Sequence, residues 1–148
     1  MSEGQAENAF WKIYEQVLSI LPEKSNGTTN FELEKIGRKL IGPKFIGVYA
    51  SDKIPRDKQG YFIVNLDKSN QKGSHWVGVV RDGDGTTVYD SFGRDTKNIF
   101  PDSWRDFGKF EEVEDDAEQH WVEANCGQLS MSWLVFFSRH GRESSKLI

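Results

Sequence analysis

One cysteine, Cys126, stands in 148 residues, so no intramolecular disulfide can form and folding rests on a packed core. No apolar run approaches the ~20 residues that a membrane-spanning helix needs; the longest, Trp133 to Phe137, falls far short. Excess positive charge is missing too. Lys and Arg number 19 against 23 Asp and Glu, a formal charge of −4, which disfavours a coat protein whose affinity rests on neutralising nucleic-acid phosphates. The first residues, MSEGQAENAF, lack the basic start and apolar stretch of a secretory signal. With one cysteine, this predicts an intracellular, reducing setting and no membrane. Repeats of 20 to 50 residues are absent, which excludes a solenoid or propeller.

What the chain does have is aromatic and apolar residues, 13% and 36%, enough for one sizeable core at this length. A single domain over 1–148 is expected, with 1–28 an amphipathic helix and connector and 29–148 the main body. Phe10, Ile13, Tyr14, Val17, Leu18 and Leu21 share one face of a helix, read as Ala9 to Leu21, that ends before Pro22. Thr29-x-x-Glu32 is a capping box opening a second helix through Leu33, Ile36 and Leu40, stopped by Gly42-Pro43. Phe45 to Tyr49, Tyr61 to Leu66, His75 to Val80 and Thr86 to Asp90 read as strands, the last two joined by a hairpin at Asp82-Gly83-Asp84-Gly85. Asp95 to Phe107 reads as an irregular or helical excursion, and the acidic run Glu111 to Glu118 as a solvated face. From Gly127 to Phe137 the chain is apolar on nearly all sides, as a buried helix is. The fold class is α+β, a small central antiparallel or mixed sheet flanked by helices.

Cys126 opens that buried helix. Free backbone N–H groups and the positive end of the helix dipole would stabilise a sulfur anion there. A lone cysteine beside apolar residues is more often an inert core group, so its partners decide. His75 begins a strand and can serve as general base; Asp90 closes the neighbouring strand, where its carboxylate can orient the imidazole or simply cap a turn. His120 and His140 lack the paired spacing of a zinc site with Cys126, and Asp82-Gly83-Asp84-Gly85 lacks the later ligands of a calcium loop. No metal is assigned. Arg139, Arg142 and Lys146 read as solubilising charges.

His75-Trp76, Tyr89-Asp90-Ser91-Phe92-Gly93, Gln119 and Asn125-Cys126-Gly127-Gln128-Leu129 together resemble the His-Trp, Asp/Glu-x-Phe-Gly and Gln-x6-Cys-Gly signature of the adenovirus protease (adenain) family. The order His, acid, Gln, Cys is also that of the related SUMO and ubiquitin-like protein proteases. The stretch IGRKLIGPKFIGVYASDKIP, Ile36 to Pro55, looks like the N-terminal helix and strand of adenain-like enzymes. The resemblance runs from Phe31 to Phe137, and four motifs in order are far more specific than any one.

The resemblance implies a papain-like or adenain-like cysteine protease fold with its buried helix starting at the catalytic cysteine. Cys126 would be the nucleophile, His75 the general base, Asp90 the orienting acid, and Gln119 an oxyanion-hole donor beside the backbone N–H of Cys126. Trp76, Asn125 and Gly127 would line the substrate cleft, Trp76 narrowing it so that only glycine fits next to the scissile bond. The implied activity is cleavage after glycine, at Gly-x-Gly or Gly-Gly sites, of protein or polyprotein precursors. These would be viral structural proteins matured in a virion or infected cell, by a monomer with no bound cofactor. Adenain is activated by a disulfide-linked peptide and by DNA; a single cysteine and an acidic chain speak against both activators here. Ending at Ile148, the chain stops well short of adenain, and the helix Ala9 to Leu21 has no counterpart at adenain's N-terminus. A reduced adenain-like enzyme is expected, with the added helix standing in for the absent support. Three alternatives stay open: a deconjugating protease for a ubiquitin-like modifier, a catalytically silent binding module, and acetyl transfer through a Cys thioester, which would need a basic acetyl-CoA site.

Overall fold

The computed structural model describes residues 1–22, 28–66, 75–91, 97–101, 104, 109–113 and 125–148. Gln119, Phe92-Gly93, His120, the connector 23–27, the acidic stretch 114–118 and most of the excursion read at 95–107 lie outside them. The described residues form an α+β arrangement, a five-stranded mixed sheet flanked by helices.

Helix α1 (Glu3–Ile20) buries Ala6, Phe10, Ile13 and Val17, and Leu21 just beyond. It begins six residues earlier than the apolar periodicity indicates. Ser2 and Gln5 form a capping box there, which supplies partners for the free N–H groups of a polar first turn. Helix α2 (Asn30–Leu40) opens at the Thr29–Glu32 box read from the sequence and buries Leu33 and Ile36.

The sheet runs in chain order, β1 (Phe45–Ala50), β2 (Gly60–Asn65), β3 (Trp76–Asp82), β4 (Gly85–Tyr89), β5 (Lys109–Val113). Pairing is parallel for β1 with β2 and for β4 with β5, and antiparallel between β2, β3 and β4. Strand β5 replaces the solvated acidic face expected from residue 111 onward. It is an edge strand whose exposed Lys109 and Glu112 mask the period-2 signal, and only Val113 is buried. Gly85 admits it: a Cβ there would stand 2.0 Å from the Lys109 carbonyl oxygen, at a φ of +138°.

Alternation along the strands divides the core in two. Ile63, Trp76, Val80 and Tyr89 face α1 and the C-terminal helix, while Phe62, Val64, Val77, Val79 and Val88 face Ile54, Phe100 and Trp104 on the other side. On that second face Arg81 donates to the Arg56 and Lys58 carbonyls and lies over the Trp104 ring, pinning the 51–59 crossover between the parallel strands.

Helix α3 (Cys126–Ser145) is buried from Cys126 to Phe137. It continues past Phe137, where apolar patterning stops, to a break at Gly141 (φ 85°, ψ 176°). The last turn folds back so that the Ser145 carbonyl accepts from Trp133 Nε1 at 3.1 Å, satisfying a buried indole. No helix among the described residues is long and apolar enough to cross a membrane.

Candidate active site

Three chemically capable side chains converge at one end of the sheet. His75 immediately precedes β3 and Asp90 immediately follows β4. The two strands pair as an antiparallel hairpin in which Gly78 opposes Tyr89 and Asp82 opposes Gly85. A two-residue turn fixes that register, and Asp84 N–H donates to Asp82 Oδ1 at 2.9 Å within it. The far ends of the hairpin therefore bring His75 and Asp90 together. His75 Nε2 lies 2.5 Å from Asp90 Oδ1, and the side chains are 1% and 3% exposed. The His75 carbonyl accepts from Leu66 N–H at 3.0 Å, fastening this residue to the end of β2 as well.

Cys126 reaches the same place from the helix layer. Its Sγ accepts from the Trp76 backbone N–H at 3.4 Å. One turn later on the same helix face, Ser130 Oγ donates to the Trp76 carbonyl at 3.0 Å. Both polar groups of the Trp76 peptide are thus taken by α3, and the residue beside His75 is locked to the residue carrying the thiol. Gly78 permits this approach: a Cβ there would come within 3.1 Å of the Ser130 carbonyl and 3.3 Å of the Leu134 and Trp133 side chains.

Electrostatics follow from the geometry. Burial alone would push the His75 imidazole toward its neutral form. Hydrogen bonds to Asp90 and to Cys126, with the charges of both, outweigh it and raise the pKa from 6.5 to about 9. At neutral pH the imidazole carries its second proton. Cys126 is 2% exposed and sits within the core cluster beneath α3. A carboxylate, an imidazole and a sulfur grouped here, largely shielded from water, are groups capable of proton transfer and nucleophilic attack.

No protein-family model matches the chain, and no curated protein matches it significantly. What it does is therefore read from its own side chains. Of the residues expected at the site, His75, Asp90 and Cys126 are brought together, while Gln119 lies outside the described residues. Trp76 is 9% exposed and packs in the core, as a core aromatic does. Gly127 is buried where a Cβ would press on Leu33 and Thr28, so the start of α2 closes over the first turn of α3. Asn125 sits at the capping position of α3 with no side-chain cap; its Nδ2 donates to Tyr14 Oη of α1 at 3.3 Å. Among the described residues no group of His, Cys, Asp and Glu could hold a metal ion.

The contacts of three side chains escape sequence reading. Gln128 is wholly buried, and its Nε2 donates to the Leu21 and Pro22 carbonyls, tying the end of α1 to the helix that Cys126 opens. Tyr14 on α1 reaches Asn125. The available signal was a tyrosine on an otherwise apolar helix face, whose hydroxyl must find a polar partner. Arg142, expected as a solubilising charge, instead donates to Thr87 Oγ1 and Asp82 Oδ1 at 3.0 Å each. The break at Gly141 turns the last segment back toward the β3–β4 hairpin.

Proposed function

We propose that this chain is a thiol endopeptidase built as a reduced adenain-type enzyme on a papain-like plan, with Cys126 as nucleophile, His75 as acid and base, and Asp90 orienting the imidazole. The observation that carries it is the burial of Cys126, His75 and Asp90 together at one end of the sheet, where hydrogen bonds to Asp90 and Cys126 raise the imidazole pKa to about 9. Cys126 Sγ, as the thiolate of a thiolate–imidazolium pair with His75, adds to a peptide carbonyl carbon, whose oxygen takes up the negative charge. The tetrahedral intermediate collapses to a thioester as His75 hands its proton to the departing amine. Water, deprotonated by His75, then attacks the thioester carbonyl, the acid product leaves, and the proton returns to the Cys126–His75 pair. The oxyanion meets backbone N–H groups at the start of α3, which no side chain caps. By family likeness Gln119 adds a side-chain donor, Trp76 narrows the cleft so that only glycine fits next to the scissile bond, and the substrates are protein precursors cut after glycine during virion maturation.

Cleavage-site profiling of a proteome-derived peptide library tests this, with wild-type protein and Cys126→Ala in reducing buffer and without added DNA or peptide. Cuts after glycine that vanish in the variant are expected. Cleavage that survives in Cys126→Ala would sink the mechanism. Release of a Gly-Gly-ended modifier from a conjugate, with no cutting of linear peptides, would replace the endopeptidase by a deconjugase.

A further inference from the structure

Helices α1 and α2 each begin with a complete capping box, whereas α3 begins with none. A capping residue ordinarily takes an extended backbone so that its side chain folds back on the first N–H groups. Asn125, at φ −109° and ψ 6°, does not. Its amide is turned to α1, where Nδ2 meets Tyr14 Oη at 3.3 Å. The amide oxygen, Oδ1, is buried and has no hydrogen-bond partner among the described residues. Such an oxygen is costly to leave unpaired, and a ligand that arrives to pair it is one physical reason for a fold to keep it. Gln128 Oε1 on the same turn is likewise without a hydrogen-bond partner among the described residues but is sealed in the core, whereas Asn125 is only partly buried and is the immediate neighbour of the nucleophile.

We propose that Asn125 Oδ1 is a substrate-binding acceptor that takes a backbone N–H of the peptide beside the scissile bond, and that Tyr14 on α1 is the positioning residue that turns the amide to do so. This rests on the thiol-peptidase reading and deepens it. The same contact holds the Asn125 side chain off the first turn of α3, leaving those N–H groups to an oxyanion. Helix α1 thereby becomes part of the substrate site as well as of the core.

The experiment compares steady-state cleavage of a glycine-containing peptide by wild type, Tyr14→Phe, Asn125→Ala, Asn125→Asp and the Tyr14→Phe/Asn125→Ala double variant. Tyr14→Phe keeps the ring and its edge contact with Trp11 (5.3 Å, 88°) and removes only the hydroxyl. The expected result is a KM raised roughly tenfold, the effect of one hydrogen bond. kcat, the alkaline limb of the pH profile and the rate of Cys126 alkylation by iodoacetamide stay as in the wild type. Asn125→Ala raises KM as much or more, Asn125→Asp keeps more of the affinity because it keeps an acceptor, and the double variant is no worse than Asn125→Ala. An unchanged KM in Tyr14→Phe, losses that multiply in the double variant, or slowed alkylation, which would put Tyr14 behind the thiol itself, each overturn the proposal. If the wild type cleaves and Tyr14→Phe equals it, only this inference falls. If the wild type cleaves no peptide, the reading beneath it falls too.

Discussion

The β3–β4 hairpin carries a charge pair at each end, and the two are built for different purposes. At the open end, His75 and Asp90 are 1% and 3% exposed. At the turn, Arg142 bridges Asp82 and Asp84, the arginine 17% and the two carboxylates 43% and 89% exposed. Water screens the second pair and leaves little net stabilisation, as for exposed ion pairs generally. Removed from water, the first pair is strongly coupled and expensive to break, and stability alone is a weak reason to keep one. A fold needing only a closed hairpin has the tight turn for that. A buried histidine pushed to about 9 beside the chain's one thiol points to chemistry.

Variants of the open end should give the largest effects. His75→Ala removes both proton transfers, and the cleavage rate should fall by roughly 10⁴ or more, with Cys126→Ser as a folding control by circular dichroism. Asp90→Asn keeps the shape and loses the charge; a fall of roughly 10²–10⁴ in kcat is expected. Because Asp90 helps raise the histidine pKa, the alkaline limb of the pH–rate profile, expected near about 9 in the wild type as a property of the coupled Cys–His pair, should move to lower pH. A limb that stays put in Asp90→Asn would mean that the carboxylate does not govern the imidazole.

Stability should follow the same group. The folded state raises the His75 pKa above its ordinary value of 6.5, so it binds the proton more tightly than the unfolded chain does. The stabilisation is fully present below about pH 6.5 and is lost as pH rises through about 9. Thermal melts from pH 6 to 10 should therefore show Tm falling over that window in the wild type and falling less in His75→Gln. Equal slopes in the two proteins would remove His75 as the cause.

Much of this end was legible in the sequence because its positions are local. A histidine opening one strand and an aspartate closing the next are joined by a turn readable in Asp82-Gly83-Asp84-Gly85, and the hairpin register does the rest. The thiol was legible as the first residue of an apolar helix. The Arg142 contact at the turn end was not, because it depends on a reversal at Gly141 that no periodicity announces, and the next residue, Arg142, reads as surface charge. Strand β5 was hidden for a related reason. Its pairing is parallel and distant in sequence, permitted by the missing side chain of Gly85, while its own residues are mostly charged. Tyr14 was placed on an apolar helix face correctly, but which polar group it and Gln128 would meet 106 to 111 residues away is settled only by how α1 packs on α3.

The turn end supplies the smallest effect and the sharpest control. Arg142→Ala removes the contacts to Thr87, Asp82 and Asp84 and the cation over the Phe137 ring. One of its partners is nearly fully exposed, so the ion pairs themselves should contribute less than about 1 kcal/mol, and a drop of only a few degrees in Tm is expected. The site lies at the other end of the two strands, and nothing about Cys126 or His75 depends on this cation. Peptidase activity and the pH limb near about 9 should be unchanged. High salt should shrink the difference in Tm between wild type and Arg142→Ala while leaving the His75-linked pH slope intact, since screening reaches exposed charges and largely misses buried ones. A salt-sensitive pH slope would mean that the two ends are less different than their burial implies.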